Sequence, residues 1–122
     1  MENKDAFRFE NLEIWKDAIM ISDTLLDLSD IAENKKLYRF AEQLWGATMS
    51  ISNNIAEGSG CFSNKEFAQF LNFARRSIFE CANIVSLFLK RELITIEEKD
   101  KIYIELTILS KKIAVFRKRL LE

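Results

Sequence analysis

Residues 52–60, SNNIAEGSG, are small and polar, as the residues of binding loops often are. The stretch holds two of the chain's three glycines and two adjacent asparagines. It is not a phosphate-binding loop, because it lacks the closing Gly-Lys-Ser/Thr and follows a predicted helix where a strand is expected. Two interpretations remain. In one, the helix simply ends here. In the other, the N-terminus of the next helix, near Ser63, binds an anion. We favour the first, because Ser63 and Glu66 can occupy those N–H groups.

Two residues of this stretch are poorly suited to the helix in which they are predicted to lie. Glu57 places a carboxylate in a last helical turn, where it opposes the helix dipole, and Asn54 has a low intrinsic helix propensity. We therefore hypothesise a polar cluster within or between bundles that fixes helix register or subunit pairing. Its predicted members are Asn54, Glu57, Arg75 and Glu80.

The two glycines receive local structural roles. Gly58 is predicted to end the helix, because glycine tolerates the left-handed conformation common at a helix C-terminus. Gly60 is predicted to give the following loop freedom before Ser63. With Asn54, Glu57 and Glu80, these glycines form a predicted structural polar signature rather than a catalytic one.

Catalytic and metal-binding arrangements are scarce in this composition. The chain has no histidine, which excludes Ser-His-Asp and Cys-His catalysis and the Glu-x-x-His motif of di-iron bundles. Cys61 and Cys81 lack a second pair at zinc-ligand spacing. Cys81 falls on an apolar helix face and is predicted to lie in the core, and Cys61 is predicted to lie in a loop. We predict no catalytic residue, no metal, no cofactor and no enzymatic activity.

Basic residues occur in two clusters, one in the middle of the third predicted helix and one at the end of the fourth. Cations are favoured at a helix C-terminus, so a solvated helix end explains the second cluster. The alternative is that both clusters bind phosphates. The candidate nucleic-acid-binding residues are Arg75, Arg76, Lys111, Lys112, Arg117, Lys118 and Arg119.

The elements that must position these residues are helices. The chain has no proline, three glycines and 48% apolar residues, which favours a few long helices over a β fold. Apolar spacings of three and four, with S-x-x-E at Ser63 and T-x-x-E at Thr95, predict the helix positions. They predict one domain, 1–122, folded as an all-α, up-down-up-down four-helix bundle. The predicted helices span about 11–32, 37–57, 64–91 and 96–121.

Several apolar residues lie off the predicted core stripes, including Met20, Ile104, Ile108 and Val115. Self-association would cover them, and a broad core stripe is the alternative. Residues 1–57 carry 6 basic and 11 acidic side chains, whereas the later helices are mildly basic. The two halves can complement each other within one bundle or between subunits. The chain shows neither a secretory signal nor an apolar run of membrane-spanning length, so we expect a cytoplasmic protein without membrane contact.

Three strings occur in an order that resembles a known family. FENLEIWKDA, SISNNIAEGSG and SNKEFAQFLNFARRSIFE are similar to segments of the four-helix bundle proteins encoded in intervening sequences of 23S ribosomal RNA genes. This family includes relatives of the accessory variability determinant of diversity-generating retroelements. The likeness covers about residues 9–90. The family's recurring polar and glycine positions correspond here to Asn54, Glu57, Gly58, Gly60, Glu66, Phe67, Arg75, Ser77 and Glu80.

The resemblance implies a bundle that assembles into a ring-like homopentamer. It implies no known reaction. Relatives linked to retroelements are implicated in binding nucleic acid and a reverse transcriptase through a basic surface. By resemblance, then, the expected partners are further copies of the chain, RNA or DNA, and a reverse-transcriptase-like enzyme.

The chain departs from the family pattern at several positions. Trp45 and Gly46 stand where members often carry an arginine pair, Ser52 where proline is usual, and Cys61 where a basic residue is usual. Arg76 replaces a small residue. The lost arginines weaken the nucleic-acid interpretation, as does a net charge of −1. Two hypotheses follow: a non-enzymatic oligomeric scaffold that binds nucleic acid or a nucleic-acid enzyme, and a purely structural or protein-interaction module.

Overall fold

The computed structural model describes residues 7–122, which form four long α-helices and no strand. This confirms the predicted all-α four-helix architecture. Each helix begins and ends within two residues of its predicted bounds. A short 3-10 turn, Arg8–Asn11, precedes the helices α1 (Glu13–Asn34), α2 (Tyr38–Ser59), α3 (Asn64–Lys90) and α4 (Ile96–Leu120).

The helices follow one another as antiparallel neighbours, and α4 returns to pack against α1. Each helix buries one stripe in a common core. On α3 this stripe is formed by Phe67, Leu71, Ala74, Ile78, Cys81, Val85 and Phe88, which are all buried, with Phe70 half-buried at its edge. On α4 the stripe begins with Ile102, Leu106, Leu109 and Ile113, which are buried, and Phe116 and Leu120 pack partly against the core. The largest fully buried side chains include Phe67, Phe88, Leu25, Leu44, Ile51, Ile55 and Leu71.

The α1–α2 and α3–α4 connections are built alike. In each, the second residue after the helix adopts a left-handed conformation without being glycine: Lys36 has φ 63° and Glu92 has φ 58°. The next residue closes the turn: Leu37 N donates to Ala32 O at 2.9 Å, and Leu93 N donates to Phe88 O at 2.9 Å. This is the Schellman pattern, so both turns reverse the chain with few residues.

The predicted N-terminal caps of α3 and α4 are present. Thr95 and Glu98 form a reciprocal capping box, in which each side chain accepts the other's backbone N–H. Ser63 Oγ accepts the backbone N–H of Glu66 at 3.1 Å. The Glu66 carboxylate accepts the Ser63 hydroxyl at 3.1 Å. The start of α3, which follows SNNIAEGSG directly, is therefore fixed by its own side chains.

Candidate functional site: a polar seam and a basic surface

Gly58 is a helix-packing residue, and its predicted role as a helix stop is wrong. Helix α2 continues through it to Ser59, and no glycine has a positive φ. A Cβ on Gly58 would lie 2.7 Å from both Phe67 Cδ1 and Phe70 Cβ. Glycine is therefore required because α3 approaches the α2 backbone closely at this point. The backbone conformational freedom predicted for Gly60 is not needed either. This C-cap residue has φ −87°, which most residues can adopt.

Beside this contact, hydroxyl and amide groups join α2 to α3 through a group that we call the polar seam: Ser50, Asn54 and Ser77. Asn54 Nδ2 donates to Ser50 O at 2.7 Å and to Ser50 Oγ at 2.9 Å. The Ser77 hydroxyl lies 2.8 Å from Ser50 Oγ and 3.1 Å from Phe73 O. Asn54 thus reaches α3 through Ser50. The sequence interpretation did not include Ser50, although its spacing of four from Asn54 places both on one helix flank.

The four residues of the hypothesised cluster do not meet within one bundle. Glu57 and Glu80 are exposed and form no ion pair with residues 7–122. Arg75 stacks its guanidinium 5.0 Å from the Phe79 ring centre. Five residues along a helix correspond to about 140° of rotation, so Arg75 and Glu80 lie on different flanks of α3. A cluster between bundles stays a prediction.

The two cysteines occupy different environments. Cys81 is fully buried, as predicted, and its Sγ lies 3.9 Å from Thr48 Oγ1. Burial raises the pKa of the Cys81 thiol to about 12; the Thr48 contact lowers this pKa and Glu80 raises it further. Cys61 is only partly buried, and its Sγ lies 3.7 Å from Glu57 O. Cys81 is therefore an unreactive core residue at neutral pH.

Two helical segments without carboxylates lie side by side on α3 and α4. Segment 67–79 contains two basic residues, segment 106–121 contains five, and neither contains Asp or Glu. The segments are in register, because Phe67 and Phe116 have ring centres 5.5 Å apart and Arg117 Nε donates to Ala68 O at 3.0 Å. We call this pair of segments the basic surface. Its basic residues are the seven predicted ones: Arg75, Arg76, Lys111, Lys112, Arg117, Lys118 and Arg119.

Five of these seven cations are exposed, and the other two are used within the chain. Lys112 Nζ lies 2.9 Å from Glu13 Oε1 and 2.9 Å from Asp17 Oδ2, so it joins α4 to α1. Hydrogen bonds to Glu13 and Asp17 raise the pKa of the Lys112 ammonium. Arg117 is held by its bond to Ala68 O. The five exposed cations are Arg75, whose guanidinium stacks on Phe79, and Arg76, Lys111, Lys118 and Arg119.

Two aromatic side chains accompany the α3 part of this surface. Phe79 is 58% exposed beneath the Arg75 guanidinium, and Phe62, in the loop before α3, is fully exposed. Both lie outside the hydrophobic core. An exposed aromatic ring beside an arginine offers a stacking position for a nucleobase.

Residues 7–122 contain no group of three or more His, Cys, Asp or Glu side chains placed to hold a metal ion. Within the same range, no helix is long and apolar enough to cross a membrane.

The fold and these surfaces define an all-α four-helix bundle with one basic side. A family model described as the 23S rRNA-intervening sequence protein matches residues 10–115. The chain therefore belongs to the 23S rRNA-intervening sequence protein family.

Among solved structures, the chain is similar to a crystal structure of a protein of unknown function from the S23 ribosomal protein family of Bacteroides thetaiotaomicron. The two share 22% identity with a TM-score of 0.80 over 86% of this chain and 98% of that one, a likeness that concerns the fold. No curated protein matches the chain.

Proposed function

We propose that the protein is a non-enzymatic scaffold that assembles with copies of itself and binds nucleic acid through the basic surface. The observation that carries this proposal is the pairing of two carboxylate-free segments, 67–79 and 106–121, in one register. Cations without neighbouring carboxylates are available to phosphates, and each phosphate contact releases a counterion. A net charge of −1 does not oppose this, because binding depends on the local distribution of charge.

Several features favour single-stranded RNA or DNA as the nucleic acid. Phe62 and Phe79 expose aromatic rings that unpaired bases can stack on, whereas bases in a duplex are already stacked. Arg75 is held over Phe79, so a phosphate and a base can be contacted at adjacent points. A nucleic-acid enzyme, as the resemblance implies, would meet the same scaffold when both bind one strand.

A purely structural module is the second candidate function. The observation that favours it is the ion pairing of Lys112 with Glu13 and Asp17, in which acidic residues of the first helix neutralise a predicted phosphate ligand. If this pattern extends to the remaining cations in an assembly, the basic surface serves protein contacts alone.

Fluorescence titration of a labelled oligo(U) RNA and of a duplex DNA, at about 50 and 200 mM salt, separates the two functions. The test variant replaces Arg75, Arg76 and Lys118 by Gln, which leaves Lys112 and Arg117 in place. For single-stranded RNA, we expect the slope of log Kd against log salt to fall by about 2 for three lost contacts. The matched control neutralises Lys90 and Arg91, exposed cations at the other end of α3.

Absence of binding by the wild type at low salt would remove the nucleic-acid function and leave the structural module. An unchanged slope in the triple variant would show that binding occurs elsewhere on the protein. Tighter binding of duplex than of oligo(U) would contradict the stacking role of Phe62 and Phe79.

A further inference from the structure

A groove between α1 and α2 combines exposed aromatic side chains with negative charge. Tyr38 is 54% exposed and Trp45 is 50% exposed. The groove has a volume of about 240 Å³, and among residues 7–122 its charged lining residues are Glu33 and Glu42. Met49, one turn beyond Trp45, extends the apolar part. We call this the acidic groove; such an exposed apolar patch on a small bundle indicates a contact surface.

A second groove, between α1 and α4, has the opposite charge. Its volume is about 470 Å³, and it is lined by Lys111, Val115 and Arg119 among others. Within the part of the chain that the structure describes, one carboxylate lines it, that of Glu13, which is already held by Lys112 at 2.9 Å. Within residues 7–122, neither Lys111 nor Arg119 forms an ion pair. Val115 is 50% exposed; the basic groove therefore also pairs apolar surface with unneutralised charge.

We propose that the acidic groove of one copy docks against the basic groove of a second copy, in a head-to-tail contact. This rests on the self-association in the proposed function and names the surfaces that carry it. If the acidic grooves of two copies met, or their basic grooves met, like charges would face each other. Both symmetric contacts are therefore disfavoured. When the acidic groove of one copy meets the basic groove of the next, the carboxylates and the cations neutralise each other. A contact between two different surfaces leaves one groove free at each end, and assembly continues until a ring closes.

The occupant is a second copy of the chain, because one chain carries both the acidic groove and the basic groove that complements it. Each groove alone is smaller than a stable interface, which needs about 800 Å² from each partner. Exposed apolar residues enlarge both patches: Met49 lies one turn beyond Trp45, and Ile108 lies two turns before Val115 on α4, beside a neighbouring groove that Asp17 and Glu105 also line. Charges around an apolar centre steer and align the partners, and burial of that centre supplies the affinity.

Two charge-reversal variants test the contact. The first carries Glu33→Lys and Glu42→Lys, which makes both grooves positive. The second carries Lys111→Glu and Arg119→Glu, which makes both grooves negative. All four side chains are exposed, and Lys112 is left unchanged to preserve its ion pairs with α1. Mass is measured by sedimentation velocity for the wild type, each variant and an equimolar mixture of the two variants.

The structure predicts an oligomeric wild type and a dissociation constant raised at least about tenfold in each variant alone. In the mixture, positive grooves meet negative grooves, so the two chains should associate in alternation and the mass should rise well above that of either variant alone. Strict alternation closes only rings with an even number of subunits, so recovery is judged by this rise in mass and not by return to the wild-type value. The matched control is Lys90→Glu with Arg91→Glu, two reversals at the C-terminal end of α3. Neither residue lines either groove, so the mass of this variant should stay that of the wild type. Circular dichroism and thermal unfolding report whether each variant remains folded.

Distinct results overturn distinct claims. A monomeric wild type contradicts both self-association and the docking of the grooves. An oligomeric wild type whose mass is unchanged in both variants, or whose folded variants stay monomeric on mixing, contradicts only the pairing of these two grooves. Loss of mass in the Lys90 and Arg91 control would show that net charge, not the grooves, governs assembly. RNA binding is tested separately through Arg75, Arg76 and Lys118.

Discussion

The bundle has two seams of opposite character, the α2–α3 seam and the α1–α4 seam. At the first, helices approach so closely that Gly58 has no room for a Cβ, and hydrogen bonds of the polar seam cross the contact. At the second, Lys112 joins the helices through exposed ion pairs, and grooves with exposed apolar residues lie alongside. A close-packed seam stabilises one protomer, whereas an open, charged seam leaves surface for a partner. The effects of substitutions at the two seams should therefore differ in size. They should also differ in whether they change the stability of one protomer or its contact with a partner.

The largest effect on stability is expected for Gly58→Ala. A methyl group would enter the space of the Phe67 ring and the Phe70 Cβ, both at 2.7 Å, and α3 would have to move away. We expect the free energy of unfolding to fall by about 2 kcal/mol, measured by urea denaturation.

Gly46→Ala is the matched control, because it makes the same change in the same helix with no atom within 4 Å of the new Cβ. Its free energy of unfolding should rise by up to about 1 kcal/mol, because alanine has a higher helix propensity than glycine. Equal effects at Gly46 and Gly58 would contradict the close approach of α3 to α2.

The buried thiol beside the α2–α3 seam should make stability depend on alkaline pH. The Cys81 thiol titrates with a pKa of about 12 in the fold and 9.0 in the unfolded chain. The folded state therefore binds more protons above pH 9, and stability falls as pH rises. We expect a loss of about 1 kcal/mol between pH 9 and pH 10.

Urea denaturation at both pH values measures this loss, and Cys81→Ala should flatten it despite its lower starting stability. If the variant and the wild type lose stability equally, another group controls the alkaline transition. With a thiol-specific reagent at pH 8, Cys61 should react promptly and Cys81 only after unfolding.

Within the polar seam, Ser77→Ala should have a moderate effect. The substitution removes the hydroxyl that reaches Ser50 and should lower the free energy of unfolding by about 1 kcal/mol. Asn54→Ala acts on the same network through Ser50. In a double-mutant cycle, the two changes should be non-additive. Strict additivity would show that Asn54 and Ser77 do not share one hydrogen-bond network.

The smallest effect on stability is expected at the α1–α4 seam, for Lys112→Met. The ion pairs are exposed and screened by salt, and the methionine keeps the apolar stem. Lys112→Met should change the thermal midpoint less than Ser77→Ala does. The difference in thermal midpoint between Lys112→Met and the wild type should shrink at high salt. Because the folded-state pKa of Lys112 is raised above 10.5, its contribution is present below that pH and is lost as pH rises further. If Lys112→Met lost more stability than Gly58→Ala, the ranking of the two seams would be reversed.

The fold was predictable because its signals are local. Apolar spacing, the Ser63 and Thr95 caps and the scarcity of glycine and proline place four helices within two residues of their observed ends. The role of Gly58 was not predictable in the same way. Glycine near a predicted helix end usually reflects backbone conformation, whereas here it reflects the distance to another helix. That distance is a tertiary quantity, and no local pattern in SNNIAEGSG encodes it.

The candidate site was predictable in part. The two basic clusters were visible in the sequence, and the packing of α3 against α4 shows that the carboxylate-free segments carrying them lie side by side. Their part in nucleic-acid binding stays a prediction. The ion pairs of Lys112 join residues far apart in sequence and could not be read from spacing. The four residues of the hypothesised cluster do not meet within one bundle because Arg75 and Glu80, although close in sequence, face different sides of α3. A cluster between bundles stays a prediction. Ser50 was missed because an isolated serine on a helix carries no distinctive signal.

The separation of charge between the two helical hairpins has a consequence for encounter in solution. Helices α1 and α2 carry two basic and eight acidic side chains, whereas α3 and α4 carry eleven basic and six acidic ones. The bundle therefore has a permanent electric dipole across its width, although its net charge is only −1. Such a molecule rotates in the field of a polyanion or of a second copy before the surfaces touch. Salt should then act mainly on the rate of association, and much less on the lifetime of the complex.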